Sequence, residues 1–374
     1  MKAAFVYSDD FARFSYGSDH PLKPVRLRLT YELIRACGLL GDPDPRLIEP
    51  APAGIEDLLT FHTRDYLDVL QAANSGEYRE GAEAYGLGYG DNPVFPGMFD
   101  WSRLVAGASL KAADLVDSGE ASIAFNIAGG LHHALASRAS GFCYINDPVL
   151  AIRRLVSRGR RVAYIDIDAH HGDGVQEAFY DTDRVLTISL HETGAMLFPG
   201  SGFEQETGEG AGSGYSVNVP LPPEADDEIF VQAFTEVIPP LVERFRPDIV
   251  VSQLGVDTFV SDPLAHLNVT TNGFCTMVAM IKSLAPKWVA LGGGGYDLSN
   301  VARAWTLAWA IMNDTDAPEE IPAAYLERYA GAGFLNRRLR DEPVATESGK
   351  REMMRKETDR VIGFIRERLV PRRS

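Results

Sequence analysis

The sequence has few cysteines and a shortage of basic residues, and both facts narrow its function. Cys37, Cys143 and Cys275 lie far apart without a Cys-x-x-Cys pair, which disfavours a disulfide framework and a thiolate zinc site. With 36 Lys and Arg residues against 52 Asp and Glu residues, the formal net charge is −16. A chain this acidic is a poor match for nucleic acid or an anionic membrane, so we expect neither as a partner.

Long apolar runs are also missing. No stretch approaches the roughly 20 apolar residues that span a bilayer. The first ten residues, MKAAFVYSDD, carry one lysine and an apolar run that breaks at Asp9. This pattern predicts a first strand rather than a signal peptide, and we expect a cytoplasmic protein.

Short apolar segments alternate with amphipathic ones along the chain. We predict strands at 3–7, 122–127, 161–167, 185–190, 248–253 and 288–293, and helices that include 147–159 and 228–245. Nearly continuous apolar strands alternating with helices are typical of parallel sheets covered on both faces. The predicted fold class is therefore α/β, with a central, mainly parallel sheet flanked by helices.

Two further segments are assigned by composition. Residues 81–99 are rich in glycine and aromatic residues and predict a long ordered loop. Residues 350–374 are charged but carry an apolar stripe, which predicts a terminal helix lying on the body, with self-association as an alternative role. The stripe consists of Val361, Ile362, Phe364, Ile365 and Leu369.

Chemically active residues gather directly after the predicted strands. In chain order the segments are GGLHH, DAHHGDG, HETGAMLFPG, LGVDTFVSDPL and GGGGYD. Ligands of open α/β sheets bind at the carboxyl ends of the strands. We therefore expect the active site at that edge.

The stretch YIDIDAHHGDG predicts half of a metal site. Side chains alternate along a strand, so Asp166 and Asp168 share one face, and His170 continues the same spacing while His171 points away. Catalytic sites typically use three protein ligands, and Asp257 in LGVDT is the best candidate for the third. Two carboxylates and one imidazole suit Zn²⁺ or Fe²⁺. The alternative is that these aspartates only cap helices.

Two adjacent histidines, His132 and His133, follow the glycine pair in GGLHH, where a lone histidine would more often be structural. Asp166 and Asp173 could each accept a hydrogen bond from one of them, which would fix the tautomer. Two such pairs beside a metal suit general acid–base catalysis. Tyr296 follows a glycine run that lacks the GK[ST] ending of a phosphate loop. Its hydroxyl could stabilise an oxyanion, or it could be a buried structural tyrosine.

Taken in order, these motifs resemble the zinc-dependent histone deacetylase family, and most of all its bacterial acetoin utilization branch. The matching stretches are HPLKPVR, GGLHHALASRASGFCYIND, YIDIDAHHGDGVQEAF, TISLHETGAMLFPG, LGVDTFVSDPLAHLNVT and LGGGGY. The resemblance implies the arginase/deacetylase fold and a zinc amidohydrolase. We predict a catalytic domain over residues 1–325 and a helical extension over 326–374 that packs on the same domain.

The resemblance also implies a role for each matching position. The metal ligands would be Asp168, His170 and Asp257. The catalytic residues would be the His133–Asp173 pair as general base and acid, the His132–Asp166 pair as its electrostatic partner, and Tyr296 as the group that holds the oxyanion. The substrate-binding positions would be Asp91, Gly141, Phe142, Phe198, Leu264 and Gly294. A structural potassium ion would bind at Asp166, Asp168, His170, Ser189 and Leu190, and the inner-channel arginine would be Arg26.

The substrate implied is an acetylated lysine of a protein, such as an acetyl-CoA synthetase. The slim apolar stem of acetyl-lysine suits a tunnel between two aromatic rings. One alternative is a deacetylase of acetylpolyamines or similar small amines, which a narrow or acidic entrance would favour. Another is a non-catalytic acyl-lysine-binding protein, which loss of a ligand or of Tyr296 would have indicated; all expected positions are filled. The oligomeric state stays open.

Overall fold

A single parallel sheet organises the molecule. The computed structural model describes residues 2–41, 43–88, 90–334, 336–343 and 347–368. Within them, eight strands pair in the order β2-β1-β3-β8-β7-β4-β5-β6, and each pair is parallel. The strands are β1 Ala3–Val6, β2 Leu47–Ile48, β3 Ile123–Asn126, β4 Val162–Asp166, β5 Val185–Glu192, β6 Ser216–Leu221, β7 Ile249–Gln253 and β8 Trp288–Leu291.

Helices flank the sheet. Helices α4 and α5 pack on each other, while α1, α9, α8 and α7 pack in succession. The α-helices are α1 Val25–Ala36, α2 Ile55–Leu58, α3 Arg64–Ala73, α4 Met98–Ser118, α5 Asp147–Ser157, α6 Asp173–Ala178, α7 Asp227–Phe245, α8 Thr271–Leu284, α9 Leu298–Met312, α10 Ala323–Arg328 and α11 Ser348–Arg368. No helix in the described ranges is both long and apolar enough to cross a membrane.

The predicted α/β class and parallel sheet are confirmed, but two strands were not predicted. Strand β6 alternates polar and apolar residues and contains Pro220, which lacks the N–H that a central strand needs. It lies at the edge of the sheet, where proline is tolerated. Strand β2 has two residues and carries too little pattern to recognise. The predicted loop 81–99 was also too long, because α4 begins at Met98.

The strand order brings four of the chemically active segments together. Strands β3, β8, β7 and β4 are consecutive neighbours in the sheet although they are far apart in the chain. Because all four run in parallel, the segments that follow them emerge at the same edge. The histidine pair, the glycine-tyrosine stretch, Asp257 and the Asp168–His170 pair therefore meet at the centre of the carboxyl edge.

The last described helix lies on the body. Helix α11 packs against α7 and the edge strand β6, and Val361, Ile362 and Ile365 of the predicted stripe are at most 2% exposed. Ion pairs add to this contact, including one of 2.6 Å between Arg360 and Glu204. Leu369, the last member of the stripe, lies outside the described residues. The proposed boundary between residues 325 and 326 stays a prediction.

Truncating the buried face of α11 should destabilise the whole protein. The substitution Ile362→Ala removes a side chain that is 2% exposed, and we expect a loss of about 2–4 kcal/mol in the free energy of unfolding. Urea denaturation checks this value. Met353→Ala on the same helix is the control, because Met353 is 75% exposed and should change stability by less than about 0.5 kcal/mol. Equal effects of the two substitutions would mean that α11 does not dock as described.

Candidate active site

Three buried side chains form a group that could hold a metal ion. Asp168 and His170 follow β4, and Asp257 follows the neighbouring β7. Each offers one ligand atom, and these atoms lie within 4.8 Å of one another. Nδ1 of His170 is 2.8 Å from Oδ2 of Asp257 and 3.4 Å from Oδ1 of Asp168. All three side chains therefore converge on one point, as the two-residue spacing predicted for Asp168 and His170.

Backbone N–H groups fix the orientation of both carboxylates. Asp168 accepts hydrogen bonds from the backbone of His170 at 3.0 Å and of Gly294 at 2.7 Å. Asp257 accepts one from Ala169 at 2.9 Å. A Cβ atom on Gly294 would lie 2.1 Å from Oδ2 of Asp257, so only glycine lets this backbone approach so closely.

The two buried negative charges of this group favour the binding of a cation. Asp168 and Asp257 are at most 1% exposed, and two carboxylates at this depth are costly without compensation. Burial raises the pKa of the Asp257 carboxyl, and the neighbouring charge of Asp168 raises it further. The donor set of two carboxylates and one imidazole, already aimed at one point, fits a divalent transition metal.

The two adjacent histidines each bind one carboxylate. Nδ1 of His132 lies 2.8 Å from Oδ2 of Asp166, and Nδ1 of His133 lies 2.7 Å from Oδ1 of Asp173. Their Nε2 atoms lie 2.9 Å from each other. The hydroxyl of Tyr164 donates a second hydrogen bond to Asp166 at 2.7 Å. The carboxylates therefore fix both rings with Nε2 directed away from their aspartate partners.

The surroundings make the two histidines unequal. Burial lowers the pKa of His132, but the charges of Asp166 and Asp168 outweigh burial and raise it to about 9. Burial and the charge of His132 lower the pKa of His133 to about 4, against the opposing effect of Asp173. His132 thus holds a proton more readily than His133 does.

Aromatic side chains flank the metal group. Phe198 packs at 5.0 Å from the ring of His133, and Phe142 packs edge-on against Tyr296 at 5.7 Å. A Cβ atom on Gly141 would lie 2.5 Å from the His133 ring and 2.9 Å from the Phe198 ring. The absence of a side chain at Gly141 therefore keeps the approach to His133 open between aromatic residues.

The two histidines also line a small cavity. It has a volume of about 20 Å³ and is lined in part by His132, His133, Asp168, Tyr296 and Arg26. This volume is room for about one water molecule. The Arg26 guanidinium donates to the backbone oxygens of Gly293 and Gly295. It therefore holds the glycine stretch that precedes Tyr296.

The remaining predicted positions make local contacts of their own. The backbone oxygen of exposed Asp91 lies 3.1 Å from Nε2 of His20, and half-buried Leu264 donates its N–H to Asp262. Ser189 is the strand partner of Asp166 in the sheet, and Leu190 follows it on β5.

His171 turns away from the metal group, as predicted. Its Nδ1 lies 2.9 Å from the hydroxyl of Ser201, and its ring is 4.9 Å from that of His191. It thus supports the segment after β5 that carries Phe198.

Sequence reasoning missed several residues that hold the site. The Gln253 amide donates to Asp168 at 3.1 Å, and Asp147 accepts the N–H groups of Gly130 and Leu131 at 3.1 and 2.9 Å. Gln253 ends a predicted strand at the active edge, and this polar residue could have indicated its role. Asp147 opens a helix, and nothing in its sequence context separates it from an ordinary cap.

Removing one carboxylate should empty the metal site. In Asp257→Ala, we expect the bound metal, measured by inductively coupled plasma mass spectrometry, to fall from about one ion per chain to near zero. Asp91→Ala should keep its metal, because this exposed side chain lies outside the group. Full metal content in Asp257→Ala would remove Asp257 from the ligand set.

Comparisons with known proteins agree with this geometry. Residues 20–312 match the histone deacetylase domain. The chain is 42% identical to the acetoin utilization protein AcuC of Bacillus subtilis, over 87% of this chain and 86% of AcuC. It is 41% identical to human histone deacetylase 1, over 89% of this chain and 69% of that protein.

Solved structures give the same result. A histone deacetylase homolog in complex with SAHA superposes with a TM-score of 0.89 at 36% identity and covers 98% of this chain and 100% of its own. A homolog from Aquifex aeolicus superposes with a TM-score of 0.88 at 35% identity, with the same coverage. The central sheet, the buried Asp-His-Asp group and these matches lead to one conclusion: the chain belongs to the histone deacetylase family and has its arginase/deacetylase fold.

Proposed function

We propose that this deacetylase hydrolyses the acetyl amide of lysine side chains in proteins and uses a zinc ion to do so. The observation that carries the proposal is the meeting of the Asp168–His170–Asp257 group with two His–Asp pairs at one sheet edge. The first supplies a site for a Lewis acid, and the second supplies proton transfer. Metal-dependent amide hydrolysis uses both.

The zinc ion would be held by Asp168, His170 and Asp257, with iron as an alternative metal in the cell. When bound, it would supply Lewis-acid activation of the acetyl carbonyl and of water. The structural potassium ion proposed beside it would bind at Asp166, Asp168, His170, Ser189 and Leu190. The strand pairing of Asp166 with Ser189 supports that second assignment.

The histidine pair would carry the protons of the reaction. His133 is the neutral member, so its Nε2 accepts a proton from the attacking water. Asp173 binds Nδ1 and stabilises the imidazolium that forms. His132, bound to Asp166, keeps a positive charge beside the developing negative charge. His133 then delivers its proton to the leaving amine, and acetate and a free lysine result.

The tyrosine and the aromatic walls would position the substrate. The Tyr296 hydroxyl would hold the carbonyl oxygen as it becomes negative. Phe142, Phe198 and Gly141 would surround the apolar stem, with Gly294 beneath the acetyl group and Asp91 and Leu264 at the rim. Arg26 would line the inner channel. Because a charged amine loses its hydration in such a channel, the deacetylated product would leave readily.

Surface chemistry near the entrance supports a polypeptide substrate. Met196, Phe198 and Val260 lie on the segments after β5 and β7 and are 63%, 42% and 53% exposed. The carboxylate of Glu192, which ends β5, is buried and binds the backbone N–H and the ring of His266 at 2.8 Å, so it does not face a polyamine in solvent. We propose a cytoplasmic protein substrate, with an acetyl-CoA synthetase as the example to test.

Removing one hydroxyl should slow turnover without preventing binding. In Tyr296→Phe, we expect kcat to fall by about 10²- to 10³-fold, because one donor to the oxyanion is lost. The value of KM should change little, and steady-state kinetics with an acetyl-lysine peptide separates the two. Full activity of this variant would show that Tyr296 is not the oxyanion stabiliser.

A substrate panel tests the proposed function. The panel contains acetyl-lysine peptides, longer acyl-lysine peptides and acetylated polyamines, each assayed with zinc and with a chelator. We expect metal-dependent cleavage of the peptides, with a higher kcat/KM for them than for the polyamines. Preference for polyamines would promote the small-amine alternative, and absence of turnover with metal bound would refute the catalytic proposal.

A further inference from the structure

The backbone segment before Tyr296 has no side chains that could fix its conformation. The three residues before it, Gly293 to Gly295, have no side chains to pack, and Gly293 and Gly295 have φ angles of +123° and +136°. Glycine adopts such angles without strain but gives the segment more conformations to choose from. The position of the Tyr296 phenol therefore depends on external contacts to this backbone.

Most of these contacts come from residues already assigned to the site. Arg26 binds the oxygens of Gly293 and Gly295, and Asp168 binds the N–H of Gly294. The N–H of Tyr296 itself has a partner outside the residues assigned to the site. It donates to Oδ2 of Asp262 at 2.8 Å, and Asp262 has no role in the proposed chemistry.

Asp262 joins this backbone to the rim of the site. Its second oxygen, Oδ1, accepts the N–H of Leu264 at 3.0 Å. The neighbouring Ser261 hydroxyl donates to Asp297 at 2.8 Å, so two consecutive residues of one segment bind the residues on either side of the Tyr296–Asp297 peptide bond. Asp262 thus fixes the tyrosine and the rim residue with a single carboxyl group.

The site of Asp262 is an unfavourable place for a carboxyl group. It is 7% exposed, and burial together with the charge of Asp257 raises its pKa to about 8. The described structure gives it no ion-pair partner. The two hydrogen bonds that Asp262 accepts from backbone N–H groups best explain why a carboxyl group is present at this site.

We propose that Asp262 is a positioning residue, which sets the Tyr296 hydroxyl for catalysis by holding the Tyr296 backbone and links it to the Leu264 rim. This inference rests on the proposed function, in which Tyr296 stabilises the oxyanion. Within the described residues, Asp262 itself makes no hydrogen bond to the metal group. Its contribution should therefore appear in turnover, should leave metal binding unchanged, and should disappear when the phenol is removed.

The substitution Asp262→Asn tests this assignment. Asparagine has the same shape but only one acceptor oxygen, so one of the two N–H groups would face the amide nitrogen. We expect kcat, expressed per mole of bound metal, to fall by about 10- to 100-fold, as a small misplacement of a catalytic group does. Expressing kcat per bound metal removes the contribution of any unfolded fraction.

The matched control is Asp227→Asn. Asp227 also accepts two hydrogen bonds from one short segment, from the N–H and the hydroxyl of Thr270 at 2.7 and 2.6 Å. No hydrogen bond in the described part of the chain joins it to the metal group or to Tyr296. We expect its substitution to lower the melting temperature without changing kcat per bound metal. An equal loss of kcat in both variants would overturn the inference, because it would reflect general loosening.

A double-mutant cycle gives the decisive test. In the Tyr296→Phe background, Asp262→Asn should lower kcat by less than about threefold further, since the two residues act through one hydroxyl. A multiplicative loss, or loss of metal, would overturn the positioning role. Unchanged kcat in Asp262→Asn with an active parent would overturn this inference alone. An inactive parent protein would overturn the proposed function as well.

Discussion

The structure depends on the burial of two carboxylates at the ends of neighbouring strands. Asp168 and Asp257 are almost inaccessible to solvent, and their mutual repulsion must be offset. His170, three backbone N–H groups and the Gln253 amide supply part of the compensation. The ligand atoms of Asp168, Asp257 and His170 point at one position, and a cation bound there would supply the rest of the compensation. Glycine is required at Gly293 and Gly294 because a Cβ atom would lie 2.9 Å from Asp168 at the first and 2.1 Å from Asp257 at the second.

Neighbouring charges give two chemically identical side chains, His132 and His133, different pKa values. His132 lies between Asp166 and Asp168, whose charges outweigh burial and raise its pKa, whereas burial and the charge of His132 lower the pKa of His133 despite its partner Asp173. The difference comes from the strand ends: β4 presents two carboxylates to His132, while Asp173 belongs to the first turn of α6. The difference in pKa between the two histidines thus follows from where each aspartate lies in the fold.

The sequence predicted the parts of this site that depend on local pattern. Buried parallel strands are nearly continuous in apolar residues, so all four central strands were recognised, and the two-residue spacing placed Asp168 and His170 on one face. Strand β6 was not predicted because an edge strand tolerates Pro220 and polar residues, which obscure the strand pattern. Contacts across the fold could not be predicted either: Asp262 reaches Tyr296 across 34 residues, and no periodicity records such a pairing. Which aspartate binds which histidine was open from the residues alone and came from the family resemblance.

Anomalous diffraction at the zinc absorption edge, from crystals grown with the metal, tests the central claim most directly. The account predicts one strong peak enclosed by the carboxylates of Asp168 and Asp257 and the ring of His170. That peak should be absent from crystals of Asp257→Ala. A peak elsewhere, or none in zinc-loaded crystals of the unsubstituted protein, would contradict the claim that these buried charges exist to hold a metal.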